Sequence, residues 1–180
     1  MSDRIKVGLV GIGNCFSGLI QGIEYYRKNP SQEVTGIIHD KLAGYGIHDI
    51  DFVCGFDVGE NKVGKPLHEA IYEYPNMVDW IPKDELPKND AKIYESPILD
   101  GVGIWVENRI KPLTSTKTTE QIADEAKKIL KDNGVEIIVS YLPVGSDKVT
   151  EFWAQVCLDT NIAFVNCIPS FIASDETWAK

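Results

Sequence analysis

The chain of 180 residues is 43% hydrophobic and 25% charged, as expected for a globular domain with a sizeable core. Its 18 basic and 27 acidic residues give a formal net charge of −9. This charge disfavours nonspecific binding to nucleic acid or an anionic membrane, because both need a basic surface. No apolar segment is long enough to span a bilayer and no signal-peptide core is recognisable, so we expect a cytoplasmic protein.

The cysteines and histidines do not have the spacing of metal ligands. We therefore expect free thiols and no metal site, as is usual in the reducing cytoplasm. The cysteines are Cys15, Cys54, Cys157 and Cys167.

The first part of the chain alternates between strand and helix patterns. Ile5 to Val10 is a β-branched segment typical of a buried parallel strand. From Asn14 the apolar residues recur at helical spacing up to KNP, where the proline disfavours helical geometry in the residue before it. A second strand is predicted over Ile50 to Val58. A helix is predicted in KPLHEAIYEY, where Pro66 suits the first turn.

The second part of the chain continues this alternation after an irregular segment. Prolines between residues 74 and 116 exclude long regular elements there, apart from a short strand near 92–95. Thr118 and Gln121 have capping-box spacing at the start of a predicted helix that ends before a glycine. VEIIVSYLP predicts a buried strand and IAFVNCI predicts another strand, with a helix between them that Ser146 caps. Ser174 caps a further predicted helix.

Strand–helix alternation with nearly continuous apolar strands predicts a parallel sheet that helices cover on both faces. The expected fold class is therefore a doubly wound α/β domain of Rossmann type over residues 1–180. Residues of about 29–48 form an insert between the first helix and the second strand.

The glycines after the first strand have the layout of a phosphate-binding turn. Gly11 permits the tight turn and Gly13 lets the backbone approach a diphosphate closely. The main-chain N–H groups of Asn14, Cys15 and Phe16 would face the anion at the helix N-terminus. Phe16 occupies the position of the usual third glycine or alanine, so dinucleotide binding competes with a turn that serves packing alone.

Asp57 ends the predicted second strand, where a carboxylate can accept hydrogen bonds from the adenosine ribose. A carboxylate there repels a 2′-phosphate and favours NAD over NADP. The gap from the glycines is roughly twice the usual twenty residues, because of the insert. Two alternatives stay open: Asp57 caps the strand end only, and the insert is either a surface loop or a contact to another subunit or domain.

The carboxyl ends of two later strands carry further candidate residues. SYLPVGS leaves one strand at the edge of the sheet where ligands bind in open α/β folds. Tyr141, Leu142 and Pro143 would flank the nicotinamide side of a dinucleotide, unless this is an ordinary loop. Asn166 ends the next strand and can bond either a ligand or loop backbone.

Five sequence blocks together resemble the shorter, prokaryotic-type myo-inositol phosphate synthases, also called inositol-3-phosphate synthases. The resemblance covers nearly the whole chain and extends to the insert and the missing third glycine. It is weaker from 74 to 116, and Phe16 departs from the family pattern. The blocks are VGLVGIGNCFSGLIQGIEYYR, GYGIHDIDFVCGFDV, KVGKPLHEAI, VSYLPVGSD and FVNCIPSFIASDETWA.

This resemblance implies a function and a set of cofactor-binding residues. Members convert glucose 6-phosphate to inositol 3-phosphate by oxidation with bound NAD, aldol cyclisation and reduction. Carried over to this chain, Gly11, Gly13, Asn14 and Cys15 hold the diphosphate and Asp57 holds the ribose. The residues that the resemblance assigns to the nicotinamide end are Tyr141, Leu142, Pro143 and Asn166.

The family members are much longer than this chain, and their substrate-binding lysines follow the block SDETWA. The resemblance thus implies the cofactor half of such an enzyme, with catalytic residues beyond residue 180 and a homo-oligomer or a missing C-terminal half as partner. Two other functions stay open on the residues alone. They are another NAD-dependent dehydrogenase module and a nucleotide-binding module without activity.

Overall fold

The computed structural model describes residues 4–30, 36–103 and 107–178, and it contains a five-stranded sheet. The strands are β1 (Ile5–Val10), β4 (Ile50–Asp57), β5 (Ile93–Glu95), β6 (Ile137–Ser140) and β7 (Ala163–Asn166). All of their pairings are parallel, in the order β5-β4-β1-β6-β7. The chain therefore adds β4 and β5 on one side of β1, and then adds β6 and β7 on its other side.

Helices cover the sheet between these strands. They are α1 (Asn14–Lys28), α2 (Leu67–Ala70), α3 (Thr119–Asp132) and α4 (Asp147–Thr160). None of the helices in the described ranges is both apolar enough and long enough to cross a bilayer.

Two hydrophobic cores lie on opposite faces of the sheet, because side chains of a strand alternate in direction. Leu9 of β1 joins Phe16 and Leu67 in the core under α1 and α2. Val10 joins Leu130 and Trp153 in the core under α3 and α4. The predicted doubly wound Rossmann-type fold is thus confirmed.

Local signals predicted the longest elements correctly. Thr118 and Gln121 form the predicted capping box, since the Thr118 side chain accepts from the Gln121 N–H and the Gln121 side chain accepts from the Thr118 N–H. Gly134 follows α3 with φ of +63°, a left-handed conformation that glycine adopts without strain. The strand near 92–95 is β5.

Three local predictions differ from the structure, one of them only in a side-chain bond. The helix at KPLHEAIYEY is only the four-residue α2, with Pro66 as its N-cap. Ser146 is the N-cap of α4, as predicted, but its side chain makes no capping bond. Residues 172–178 form turns instead of a helix after Ser174, because the Asp175 carboxylate accepts from the Thr177 N–H and offers the backbone a competing partner. The last two residues of that segment, 179–180, lie outside the described residues.

The insert is more ordered than a plain loop over its described residues. It contains the two-residue strands β2 (Lys41–Leu42) and β3 (Tyr45–Gly46), which pair in antiparallel fashion across a tight turn. A short 3₁₀ helix follows, and its Ile47 packs against the core under α1. Residues 31–35 of the insert lie outside the described ranges.

Candidate functional site

A cleft opens at the carboxyl edge of the sheet, where β1 and β6 lie side by side. The strand order reverses between these two strands, and ligands of open α/β sheets bind at such a point. Its volume of about 200 Å³ far exceeds the roughly 10–15 Å³ that one water needs. Residues that line it include Gly11, Gly13, Asn14, Asp57, Lys62, Asn76, Tyr141, Leu142 and Pro143.

The irregular segment contributes one wall of this cleft, which the sequence did not predict. Ile98, Leu99, Val102 and Ile110 give the wall an apolar surface. The first part of the segment is bonded to α1, where the buried Gln21 side chain bonds the main chain of residues 78 and 81. The cleft therefore joins a polar floor at the glycine turn to an apolar side wall.

The two glycines of the turn differ in what the fold requires of them. Gly11 has φ of +84°, and a Cβ there would lie 2.9 Å from the Tyr141 carbonyl oxygen. The fold alone therefore requires glycine at this position. Gly13 has φ of −97°, which any residue adopts, and apart from its two chain neighbours no described residue has an atom within 4 Å of the Cβ that it lacks. Packing within the described chain thus gives no reason for glycine at position 13.

The N-terminus of α1 faces this open space with its donors unused by the helix. The first bond within the helix runs from the Ser17 N–H to the Gly13 oxygen, at 3.0 Å. The N–H groups of residues 14–16 therefore make no bond inside the helix. The first turn has no acidic side chain, and Gly13 supplies no side-chain cap. Such an end attracts an anion.

Phe16 does not enter the cleft, despite its place in the glycine motif. Its side chain is fully buried in the core under α1. Its ring meets that of Tyr141 edge to face, with 4.6 Å between the ring centroids. A large residue is thus accommodated beneath the turn, and the space above the turn stays open.

Asp57 is buried at the end of β4, and both of its carboxylate oxygens bond the main chain. Oδ2 accepts from the Ile12 N–H and Oδ1 accepts from the Gly59 N–H, each at 2.8 Å. The carboxylate therefore fixes both the glycine turn and the chain that leaves β4. Each oxygen retains a lone pair, so the same group can also accept from a ligand hydroxyl.

Lys62 and Asn76 also belong to the site, and sequence reasoning missed both. The Lys62 ammonium donates to the Ile12 carbonyl oxygen at 2.6 Å and to the Asn76 Oδ1 at 3.0 Å. Burial lowers the pKa of Lys62, while the carboxylates of Asp57 and Glu73 act in the opposite direction. The only local signal was a lysine shortly after the acidic strand end. Asn76 reaches the turn from far along the chain.

The other predicted residues divide between the cleft and its surroundings. Tyr141, Leu142 and Pro143 line the cleft, and burial raises the pKa of Tyr141. Cys15 is exposed and is not among the lining residues. The Asn166 side chain donates to the Ser170 carbonyl at 2.7 Å and accepts from the N–H of the residue two positions on. The loop-backbone bonds are present, and a bond from Asn166 to a ligand stays a prediction.

The strand order and the glycine turn at the reversal point define a domain of the Rossmann type. No family model matches the chain. The inositol-3-phosphate synthases of Mycolicibacterium smegmatis and Corynebacterium glutamicum are 41% and 40% identical to it over 180 residues. The matches cover 99% of this chain and 47% of each relative.

Two solved structures share the fold. The protein Ari2 superposes with a TM-score of 0.79 at 27% identity. A myo-inositol-1-phosphate synthase-related protein from Thermotoga maritima superposes with a TM-score of 0.73 at 25% identity. Each match covers 97% of this chain and 50% of the other.

The chain is therefore a relative of the inositol-3-phosphate synthases along nearly all of its own length. The resemblance predicted from the sequence blocks is confirmed. The chain spans about half the length of the curated relatives it matches.

Proposed function

We propose that this chain is the NAD-binding part of an inositol-3-phosphate synthase. The observation that carries the proposal is the open space at Gly13, in front of unbonded N–H groups at the start of α1. A glycine with no packing role, next to an anion-attracting helix end, suits a ligand whose diphosphate lies against the main chain. The similarity to inositol-3-phosphate synthases supports the same assignment.

The residues of the cleft suit the parts of this cofactor. Gly11 and Gly13 would hold the diphosphate together with the main-chain N–H groups of Asn14 and Cys15. Asp57 would accept from the adenosine ribose with its remaining lone pairs, and its negative charge would repel the additional phosphate of NADP. The residues proposed to flank the nicotinamide are Tyr141, Leu142 and Pro143. When bound, NAD supplies the reversible oxidation of a sugar alcohol carbon.

In the complete enzyme, the substrate would be glucose 6-phosphate and the product inositol 3-phosphate. The described residues of the cleft bring one ammonium, that of Lys62, and this group is buried and bonded to the turn. We therefore assign binding of the sugar phosphate to the part of the relatives that this chain does not match. Residues 1–180 would form the cofactor domain, and the chain's role in catalysis would be to bind and orient NAD.

Titration calorimetry with NAD and NADP tests the proposal directly. We expect NAD to bind, and NADP to bind at least about tenfold more weakly, equivalent to about 1.4 kcal/mol. Absence of NAD binding, or a preference for NADP, would overturn the assignment. An assay of glucose 6-phosphate turnover with added NAD tests whether sugar-phosphate binding lies outside this chain. Turnover by this chain alone would contradict that assignment.

A further inference from the structure

The glycine turn is held from outside by three side chains that all act on Ile12. Its N–H donates to Asp57 Oδ2 at 2.8 Å. Its carbonyl oxygen accepts from the Lys62 ammonium at 2.6 Å and from the Asn76 Nδ2 at 3.0 Å. Two successive peptide groups of the turn are therefore bonded, one through its N–H and the next through its C=O.

Lys62 is an unusual residue to find in this place. It is only 3% exposed, and it forms no ion pair within the described part of the chain. Burial of an ammonium whose close partners are neutral oxygens is costly. An apolar residue would suit a merely structural position better. We therefore expect the buried charge to act in the cleft that Lys62 lines.

Asn76 connects this ammonium to the first turn of α1. Its Oδ1 accepts from Lys62, and its Nδ2 also lies 3.0 Å from the Ser17 hydroxyl oxygen. The Ser17 hydroxyl in turn lies 2.6 Å from the Ile71 carbonyl oxygen, to which it donates. The neighbouring Met77 N–H donates to the Asn14 side chain at 2.7 Å. The helix end and the glycine turn are thus fixed relative to each other by one connected network.

We propose that Lys62 is a positioning residue for the cofactor diphosphate, acting through the Ile12 carbonyl. A peptide group is planar, so the bond to the Ile12 carbonyl also sets the direction of the Gly13 N–H. That N–H donates to the Gly11 oxygen at 2.8 Å, which closes the turn. The ammonium keeps the turn in the form that exposes the start of α1, and its charge favours an anion there. The inference rests on the proposed function.

The pH dependence of binding separates this role from a structural one. Because burial lowers the pKa of Lys62, its ammonium loses the proton at a lower pH than an ordinary lysine does. Cofactor affinity falls as pH rises, because the binding form carries the ammonium. The free energy of unfolding rises with pH over the same range. The unfolded chain, in which Lys62 has its ordinary pKa, binds more protons there than the folded chain does. The charged groups that act on Lys62 are Asp57 at the end of β4 and Glu73 after α2.

Calorimetry with ADP-ribose, which carries the diphosphate and the adenosine ribose, tests the inference with two variants. Lys62→Met replaces the buried ammonium with an apolar chain of similar length. We expect about tenfold weaker binding at pH 7.5, the effect of one charge-assisted hydrogen bond. The matched control is Lys65→Met, which removes a lysine that pairs with Glu73 in partial exposure, and it should leave the affinity within about twofold.

The wild-type chain supplies a test that needs no variant to fold. Between pH 7.5 and 10.5 its affinity for ADP-ribose should fall at least about twofold, while Lys62→Met should show no comparable fall. A flat wild-type profile, unchanged affinity of folded Lys62→Met, or equal weakening in Lys65→Met would overturn the inference. If the wild type binds neither ADP-ribose nor NAD, the proposed function fails and this inference fails with it. If the wild type binds and the variants do not differ, only the role of Lys62 is lost.

Discussion

Substitution of Gly13 by alanine separates cofactor binding from fold stability. Apart from the two chain neighbours, the added methyl group would meet no described residue within 4 Å, and φ of −97° is open to alanine. Lower entropy of the unfolded chain favours alanine by about 0.4–1 kcal/mol, while alanine is the poorer N-cap by a similar amount. The two effects nearly cancel, so we expect the free energy of unfolding to change by less than about 0.5 kcal/mol.

Cofactor affinity should respond quite differently to the same change. The methyl group of Gly13→Ala occupies the space that the proposed diphosphate needs, so NAD should bind at least about tenfold more weakly, a loss of about 1.4 kcal/mol. Urea denaturation measures the stability and titration calorimetry measures the affinity.

Gly11→Ala serves as the contrasting variant in the same two assays. It places a side chain at φ of +84°, with its Cβ 2.9 Å from the Tyr141 carbonyl oxygen. We expect a loss of stability of at least about 1–2 kcal/mol. The reasoning is refuted if Gly13→Ala binds NAD as tightly as the wild type. It is also refuted if Gly13→Ala loses stability as Gly11→Ala does.

Two further predictions concern the fold itself. Thr118→Ala removes the capping box of α3 and should lower the free energy of unfolding by about 1 kcal/mol in urea denaturation, whereas alanine at the exposed Thr116 should change it by less than half as much. Cys54 and Cys157 are buried, and burial raises the pKa of each to about 12, so a thiol reagent should modify only Cys15 and Cys167 in the folded chain and all four cysteines in urea. Modification of all four without denaturant would contradict the packing of the core under α3 and α4.

Local sequence signals determined most of the secondary structure. The period of the apolar residues in α1 and α3, and the capping box at Thr118, depend on neighbours within a few residues, so they are readable without the fold. The predictions that were wrong, at Ser174 and in the length of α2, concern short segments whose backbone also bonds side chains, as the Ile71 carbonyl does by accepting from Asn76.

Sequence blocks also predicted the family resemblance and the position of the cleft. Alternating strands and helices imply a doubly wound sheet, and in such a sheet the glycine turn and the acidic strand end meet at one edge. Gly11, Gly13 and Asp57 could be selected on that basis. Their contacts with NAD stay a prediction.

The tertiary structure alone decided how the turn is held. Lys62 and Asn76 reach the Ile12 carbonyl oxygen across 50 and 64 positions of the chain, and no local pattern marks such contacts. Only the packed structure separates a glycine required by its own backbone, Gly11, from one that leaves room beside a helix end, Gly13. The physical reason is that periodicity and capping act between near neighbours. Burial of a charge and the empty volume around a backbone atom depend on residues that only folding brings together.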